Sequence, residues 1–285
     1  MSSVPLGAPL AQPAVGKPYG TRLLARYKDL GGLQPPGLVA EEIARRWGLS
    51  REMLDDWAKQ SRQRALTAES RPPAFLVPVA VKRESHLTES DALPAKAHRK
   101  ARAGEILVQD EALLRPSVDI SRLRPAYLTG GVVTAANMAA EGDGASAVVL
   151  CAEGAMDELG LVPKARVLAF ATVASDPLLW PLAAVPATVT ALQRAGFDLG
   201  DIDNWYVHES SSAAILAWAK ETGLAMSAVN VNGGALAVTA PVGAVGAGLF
   251  SEAVAGLSRG RNGTALVCTA GEGGIGTACV LGPPA

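Results

Sequence analysis

The stretch Thr264-Ala265-Leu266-Val267-Cys268-Thr269-Ala270-Gly271-Glu272-Gly273-Gly274-Ile275-Gly276-Thr277-Ala278-Cys279-Val280-Leu281 reads as two apolar strands, 264–268 and 277–281, folded into a hairpin around a glycine-rich turn. Working backwards from it, the hydrophobic period keeps switching between that of a helix and that of a strand. Residues 245–257 read as a helix, 228–231 as a short strand, 211–220 as a helix and 204–207 as a strand. Before them come a helix at 186–195 and a strand at 165–173. Strands separated by helices of this length imply a sheet covered on both faces. The fold class is therefore α/β, which leaves function open.

Further out, residues 145–152 form a run of small apolar residues of the kind buried on both faces, so Cys151 reads as core. Residues 83–125 are polar and broken by proline, as in a surface excursion, and Pro78 makes 76–81 an edge strand. A helix at 38–47 places Val39, Ile43, Ala44 and Trp47 on one face, and Gly48 stops it. Ser50 then caps a second helix with Met53, Leu54, Trp57 and Ala58 inside. Residues 1–36 are rich in Pro and Gly, with one short helix expected at 22–27.

Composition narrows the function classes. The 285 residues are 49% hydrophobic but only 5% aromatic, with 30 glycines, which suits small residues packed between sheets and helices. A net charge of -1 argues against nucleic acid or a membrane surface as a partner. Cys151, Cys268 and Cys279 are spaced neither as a zinc site nor as a disulfide framework. The first residues lack a signal-peptide pattern, and no apolar run reaches the ~20 residues of a membrane span. A soluble, cytoplasmic protein is expected. The basic cluster Lys96, His98, Arg99, Lys100 and Arg102 reads as a solvated face.

Four stretches in order carry a resemblance. They are Arg124-Pro125-Ala126-Tyr127 with Val133-Thr134-Ala135-Ala136-Asn137 and Glu141-Gly142-Asp143-Gly144-Ala145; Tyr206-Val207-His208-Glu209; Asn232-Gly233-Gly234-Ala235-Leu236-Ala237 leading to Ala240-Pro241-Val242-Gly243-Ala244-Val245-Gly246; and Cys268 with Gly271-Glu272-Gly273-Gly274-Ile275-Gly276. Together these resemble the thiolases, the acetyl-CoA acyltransferases of fatty-acid breakdown and biosynthetic Claisen condensation. The resemblance implies a thiolase fold with an incomplete N-terminal core half, a loop domain and a complete βαβαβαββ C-terminal half. Its divisions would be 1–131 (loop domain with a remnant of the N-terminal core), 132–163 (last part of that core) and 164–285 (C-terminal domain). Met1-Ser2-Ser3-Val4-Pro5 is similar to the tail of the family's Glu-Ser-Met-Ser segment. That favours a reading frame cut at an internal methionine over a partial protein completed by another chain.

The family's chemistry needs a nucleophilic cysteine, a base that activates it, a second cysteine for proton transfer and oxyanion holes. By the resemblance, the nucleophile's region precedes Met1. Where the family has Gly-His-Pro, this chain has Thr239-Ala240-Pro241, so the base is gone. His208-Glu209-Ser210-Ser211 matches the Asn/His-Glu-Ala-Phe motif; His208 would orient a water or donate toward the thioester oxygen, and Glu209 would belong to the pocket. Cys268 falls on the acid/base cysteine, with a buried structural cysteine as the equal alternative, and Cys279 reads as core. Ala270 and Gly271 would lend backbone donors to an oxyanion, and Glu272 is an inserted carboxylate. Gly37 and Ala139 mark the path of the pantetheine arm, which keeps its backbone but loses the family's thioether and hydroxyl contacts at Pro36-Gly37-Leu38-Val39-Ala40-Glu41 and at Ala139, and the basic cluster could meet CoA phosphates.

The expected substrate is a coenzyme A thioester with no other cofactor. The expected partners are acyl-CoA and either a second copy or a thiolase-like chain, with no nucleic acid and no membrane. Two functions compete: an acyltransferase impaired at its site, and a non-catalytic subunit that pairs with an active relative. A third outcome, a fragment unable to fold alone, follows if the apolar run 145–152 lacks neighbours.

Overall fold

The computed structural model describes residues 20–69, 75–80, 104–114, 119–258 and 263–284. The readings of Met1–Pro5 and of the basic cluster around Lys96 lie outside the described residues. In chain order the helices are α1 (Thr21–Lys28), α2 (Pro36–Arg46), α3 (Arg51–Glu69), α4 (Glu153–Leu159), α5 (Ala184–Ala195), α6 (Ser212–Thr222) and α7 (Val245–Ser258). The strands are β1 (Val79–Ala80), β2 (Ile106–Leu107), β3 (Arg166–Ala174), β4 (Asn204–Val207), β5 (Ala265–Gly271) and β6 (Ile275–Gly282).

The C-terminal sheet has the order β3-β6-β5-β4. β6 runs antiparallel to both of its neighbours, whereas β4 and β5 are parallel, joined by crossovers that carry α6 and α7. One face of the sheet packs on α5 and α6 around Trp205, Leu266 and Trp218. The other packs on α7 through Tyr206, Val267 and Leu257. Covering on both faces is thus observed, as the alternation implies. Trp205 and Trp218 meet edge to face with ring centres 5.7 Å apart, a geometry worth about 0.5–1.5 kcal/mol beyond area burial.

The helical unit α2–α3 forms a second core on α6, with Val39, Ile43, Leu49 and Leu54 against Ala213 and Ala217. Gly48 ends α2 in the left-handed region at φ 58°, and the Ser50 hydroxyl accepts from the Met53 amide at 3.2 Å, capping α3. Arg51 bonds to Asp55 at 2.6 Å and to the carbonyls of Ile120 and Leu123, so the segment after residue 119 is fastened to α3.

Four expectations are corrected. Residues 145–152 form no strand: Val149 and Leu150 are 82% and 74% exposed, and Cys151 is exposed rather than core. An apolar strand needs neighbouring strands to satisfy its backbone, and among the described residues none pairs with this one. Residues 228–231 contribute one bridge, Trp205 to Val229, because Asn230 turns the chain out of register at φ 45°. The third strand of the expected βαβαβαββ unit is therefore vestigial. Met53 is 39% exposed, unlike Leu54, Trp57 and Ala58. The closing hairpin is also longer than read, its first strand reaching Gly271.

Candidate active site

Residues 204–212 run from β4 into α6, and nearly every backbone group there is held. Val207 exchanges two hydrogen bonds with the side chain of Asn230, at 2.9 and 2.8 Å, which completes the strand edge where the third strand gives out. The His208 amide donates to the Cys268 carbonyl at 3.0 Å. Ser210 accepts from the Ala139 amide at 3.2 Å, Ser211 caps α6 through the Ala214 amide at 3.1 Å, and the Ser212 amide donates to the Asn137 carbonyl at 2.9 Å.

His208 is partly buried at the end of β4, and among the described residues its ring makes no hydrogen bond. Burial depresses its pKa to about 4, because the charged form loses its water. The ring is therefore neutral at pH 7 and can present one donor and one acceptor nitrogen. A His pKa lower in the folded than in the unfolded state costs stability as pH falls from 6.5 toward about 4. Between pH 7 and pH 4, the unmodified protein is expected to lose on the order of 3 kcal/mol more than His208→Asn. Denaturant unfolding at both pH values checks it; equal losses would put His208 in water.

Glu209 does not line a pocket, and that expectation is corrected. Its carboxylate is fully buried and accepts from Trp57 Nε1 at 3.2 Å, Ser61 Oγ at 2.8 Å, Asn230 Nδ2 at 2.9 Å and the Leu236 amide at 3.1 Å. Burial pushes its pKa up, opposed by these same bonds. The Asn232-Gly233-Gly234 motif serves this knot: a Cβ on Gly234 would lie 2.4 Å from the Glu209 carboxyl carbon, and one on Gly233 2.6 Å from the Ser61 carbonyl.

Cys268 is corrected in position. It lies in the interior of β5, paired with Ala278, and not at the strand's end. Side chains alternate along a strand, and the face that carries Leu266 and Cys268 is the one covered by α5 and α6. The thiol is fully buried; its Sγ donates to the Ala184 carbonyl at 3.4 Å and lies 3.5 Å from Thr188 Oγ1. Burial pushes the thiol up to about 12. Two residues on, the same face holds Ala270, which has no ionisable group. Ala270 and Gly271 belong to the ladder opposite Gly276 and Ile275, so the turn itself is Glu272-Gly273-Gly274. Its tip is tied down by the Ser175 amide, which donates to the Gly274 carbonyl at 2.7 Å.

Ala240 is buried, its amide donating to the Ala140 carbonyl at 2.7 Å. Asp110 grips its neighbour, accepting from the Thr239 amide at 3.0 Å and hydroxyl at 2.6 Å. A Cβ on Gly142 would meet Thr239 at 2.7 Å, and one on Gly144 would meet Pro241 at 2.7 Å. Chain thus packs tightly against the alanine.

Gly37 is buried beneath the Tyr127 ring, where an added Cβ would come within 2.2 Å, rather than presented to a ligand. Gly37→Ala is expected to destabilise by about 1–3 kcal/mol through overpacking, read as a lower denaturation midpoint; an unchanged midpoint would mean that Tyr127 moves aside freely. Ala139 contributes its amide to Ser210, as above.

Sequence reasoning missed Asp55, Ser61 and Asn230 and quoted Asn137 only as part of a motif; all four are buried and hydrogen-bonded. The available signal was a polar residue in a helical face that should be apolar: Ser61 lies one turn beyond Trp57. Among the described residues no group of His, Cys, Asp and Glu is placed to hold a metal ion.

Two family matches span most of the chain: the thiolase N-terminal domain over residues 28–154 and the thiolase C-terminal domain over 161–282. This chain belongs to the thiolase superfamily. It is 36% identical over 245 residues to an acetyl-CoA acetyltransferase of Escherichia coli, covering 84% of this chain and 58% of that protein. It is 33% identical over 290 residues to a steroid 3-ketoacyl-CoA thiolase of Mycobacterium tuberculosis, covering 98% and 64%. The crystal structure of the Bacillus anthracis acetyl-CoA acetyltransferase matches with a TM-score of 0.76 at 27% identity, covering 87% of this chain and 60% of that one. The α/β architecture is the thiolase fold. The chain spans about three fifths of the relatives it matches.

Proposed function

We propose that this thiolase-superfamily chain binds acyl-CoA and does not carry out thiolysis by itself, acting with a second thiolase-like chain. The observation that carries the reading is the state of two positions within the chain. Ala240 stands where, by the resemblance, the family's activating histidine would be, and Cys268, on which the resemblance places the proton-transfer cysteine, has its thiol turned into the core. Whichever polypeptide supplies a nucleophile, neither position here can move a proton. His208, neutral at pH 7, retains the capacity to hydrogen-bond a thioester oxygen, which supports binding.

The partner is a second copy of this chain or a paralogue. Supporting this, Val149, Leu150 and Phe170, the last 66% exposed, are large apolar side chains left in water, and Leu150, Phe170 and Phe250 border one groove of about 260 Å³. No helix among the described residues is long and apolar enough to cross a membrane. Separately, the kinship with acyl-CoA thiolases supports a place in cytoplasmic lipid metabolism as part of this reading. A second reading, an acyltransferase in its own right, draws on the survival of His208.

Calorimetric titration with acetyl-CoA, alone and after co-expression with a complete thiolase, separates these ideas. Binding together with co-purification is the expected result. Absence of both would remove the accessory-subunit reading.

A further inference from the structure

We infer that helix α3 is a positioning element for His208, coupled to it through two buried polar links, one by way of Glu209 and one by way of Asn137. The inference rests on the site reading above but is tested without any acyl-CoA.

The first link joins Trp57 Nε1 and Ser61 Oγ to the Glu209 carboxylate, at 3.2 and 2.8 Å. Ser61 Oγ also accepts from the Gly234 amide at 3.0 Å, so one hydroxyl bridges the helix, the glycine loop and the residue after His208. The second link runs from Asp55 Oδ1 to Asn137 Nδ2 at 2.9 Å, and on from the Asn137 carbonyl to the Ser212 amide at 2.9 Å. Asn137 is itself fixed, accepting from the Thr134 amide at 2.9 Å and donating to the Val132 carbonyl at 3.1 Å.

Asp55 and Ser61 lie six residues apart, about 9 Å along the helix axis and on different sides of it. One link would leave α3 free to pivot; two at this spacing fix both its rotation and its translation. They grip Glu209 and Ser212, while Asn230 holds Val207 and also donates to Glu209 at 2.9 Å. His208 is thus bracketed by anchored residues, and the segment cannot shift without disturbing α3. Buried bonds of this kind have few intermediate arrangements, so displacement of α3 passes to His208 instead of dissipating. Charge faces the knot from the same helix: Arg64 stacks over Trp57, 5.2 Å from the ring centre, and donates to the Met226 carbonyl at 3.2 Å.

The test is NMR titration of the His208 imidazole in the full chain, which has 3 histidines, the resonance being assigned with His208→Asn. Ser61→Ala and Trp57→Phe each remove one donor to Glu209 and leave the carboxylate in place. Each is expected to raise the His208 midpoint by about half a pH unit or more, as the segment loosens and water enters. Asp55→Asn is expected to act likewise. Lys59→Ala, on the exposed face of α3, is the control and should leave the midpoint alone. An unmoved midpoint in folded Ser61→Ala and Trp57→Phe would overturn the inference, as would an equal shift in Lys59→Ala.

Discussion

Glu209→Ala is expected to lower folding stability by about 3–5 kcal/mol, a large share of the 5–15 kcal/mol typical of a domain. The cost is not that of one lost bond. Four donors from three segments converge on the carboxylate, and alanine would leave Trp57 Nε1, Ser61 Oγ, Asn230 Nδ2 and the Leu236 amide facing a void. Unmet buried donors cost about 1–3 kcal/mol each where water cannot reach them, and partial relaxation keeps the sum below the arithmetic total. Glu209→Gln keeps the shape but turns an amide NH2 toward donors, so an intermediate loss of about 1–3 kcal/mol is expected. Urea unfolding of the three proteins gives the order directly. A Glu209→Ala protein within about 0.5 kcal/mol of the parent would mean that the knot is solvated.

The second large effect concerns thiol reactivity. Cys151 is exposed, whereas Cys268 is fully buried with its thiol pushed up to about 12. Only the thiolate is alkylated, and burial withholds both the charged form and the reagent from Cys268. Timed iodoacetamide labelling of the native protein, read by peptide mass, should therefore modify the exposed Cys151 and leave Cys268 all but untouched over the same period. Comparable rates would show that Cys268 opens to the site, and would restore it as the proton-transfer residue.

The same two residues show what the sequence can and cannot disclose. The period change along 165–281 is local, and apart from the strand at 228–231 it placed the helices and strands of the C-terminal half to within a few residues, down to the bounds of Asn204–Val207. The His-Glu motif and the alanine at position 240 were equally plain. The direction of the Cys268 thiol was not, because it turns on where a strand ends. β5 continues to Gly271, and those three additional residues move the mouth of the hairpin past the cysteine. Likewise the carboxylate of Glu209 cannot be told from a pocket acid until Trp57 and Ser61, about 150 residues away in the chain, are seen against it. Residues 145–152 fail for a further reason: apolar character specifies a strand only when partner strands stand beside it, and hydropathy does not say whether they do.

Spectrophotometric thiolysis of acetoacetyl-CoA by the purified chain, with free coenzyme A and alongside Ala240→His, tests the central claim most directly. Ala240 and the core-facing thiol of Cys268 predict no cleavage above the rate in buffer for the unmodified chain. Steady turnover by that chain, lost on His208→Asn, would contradict the claim and mark it as an acyltransferase that runs without the family's base.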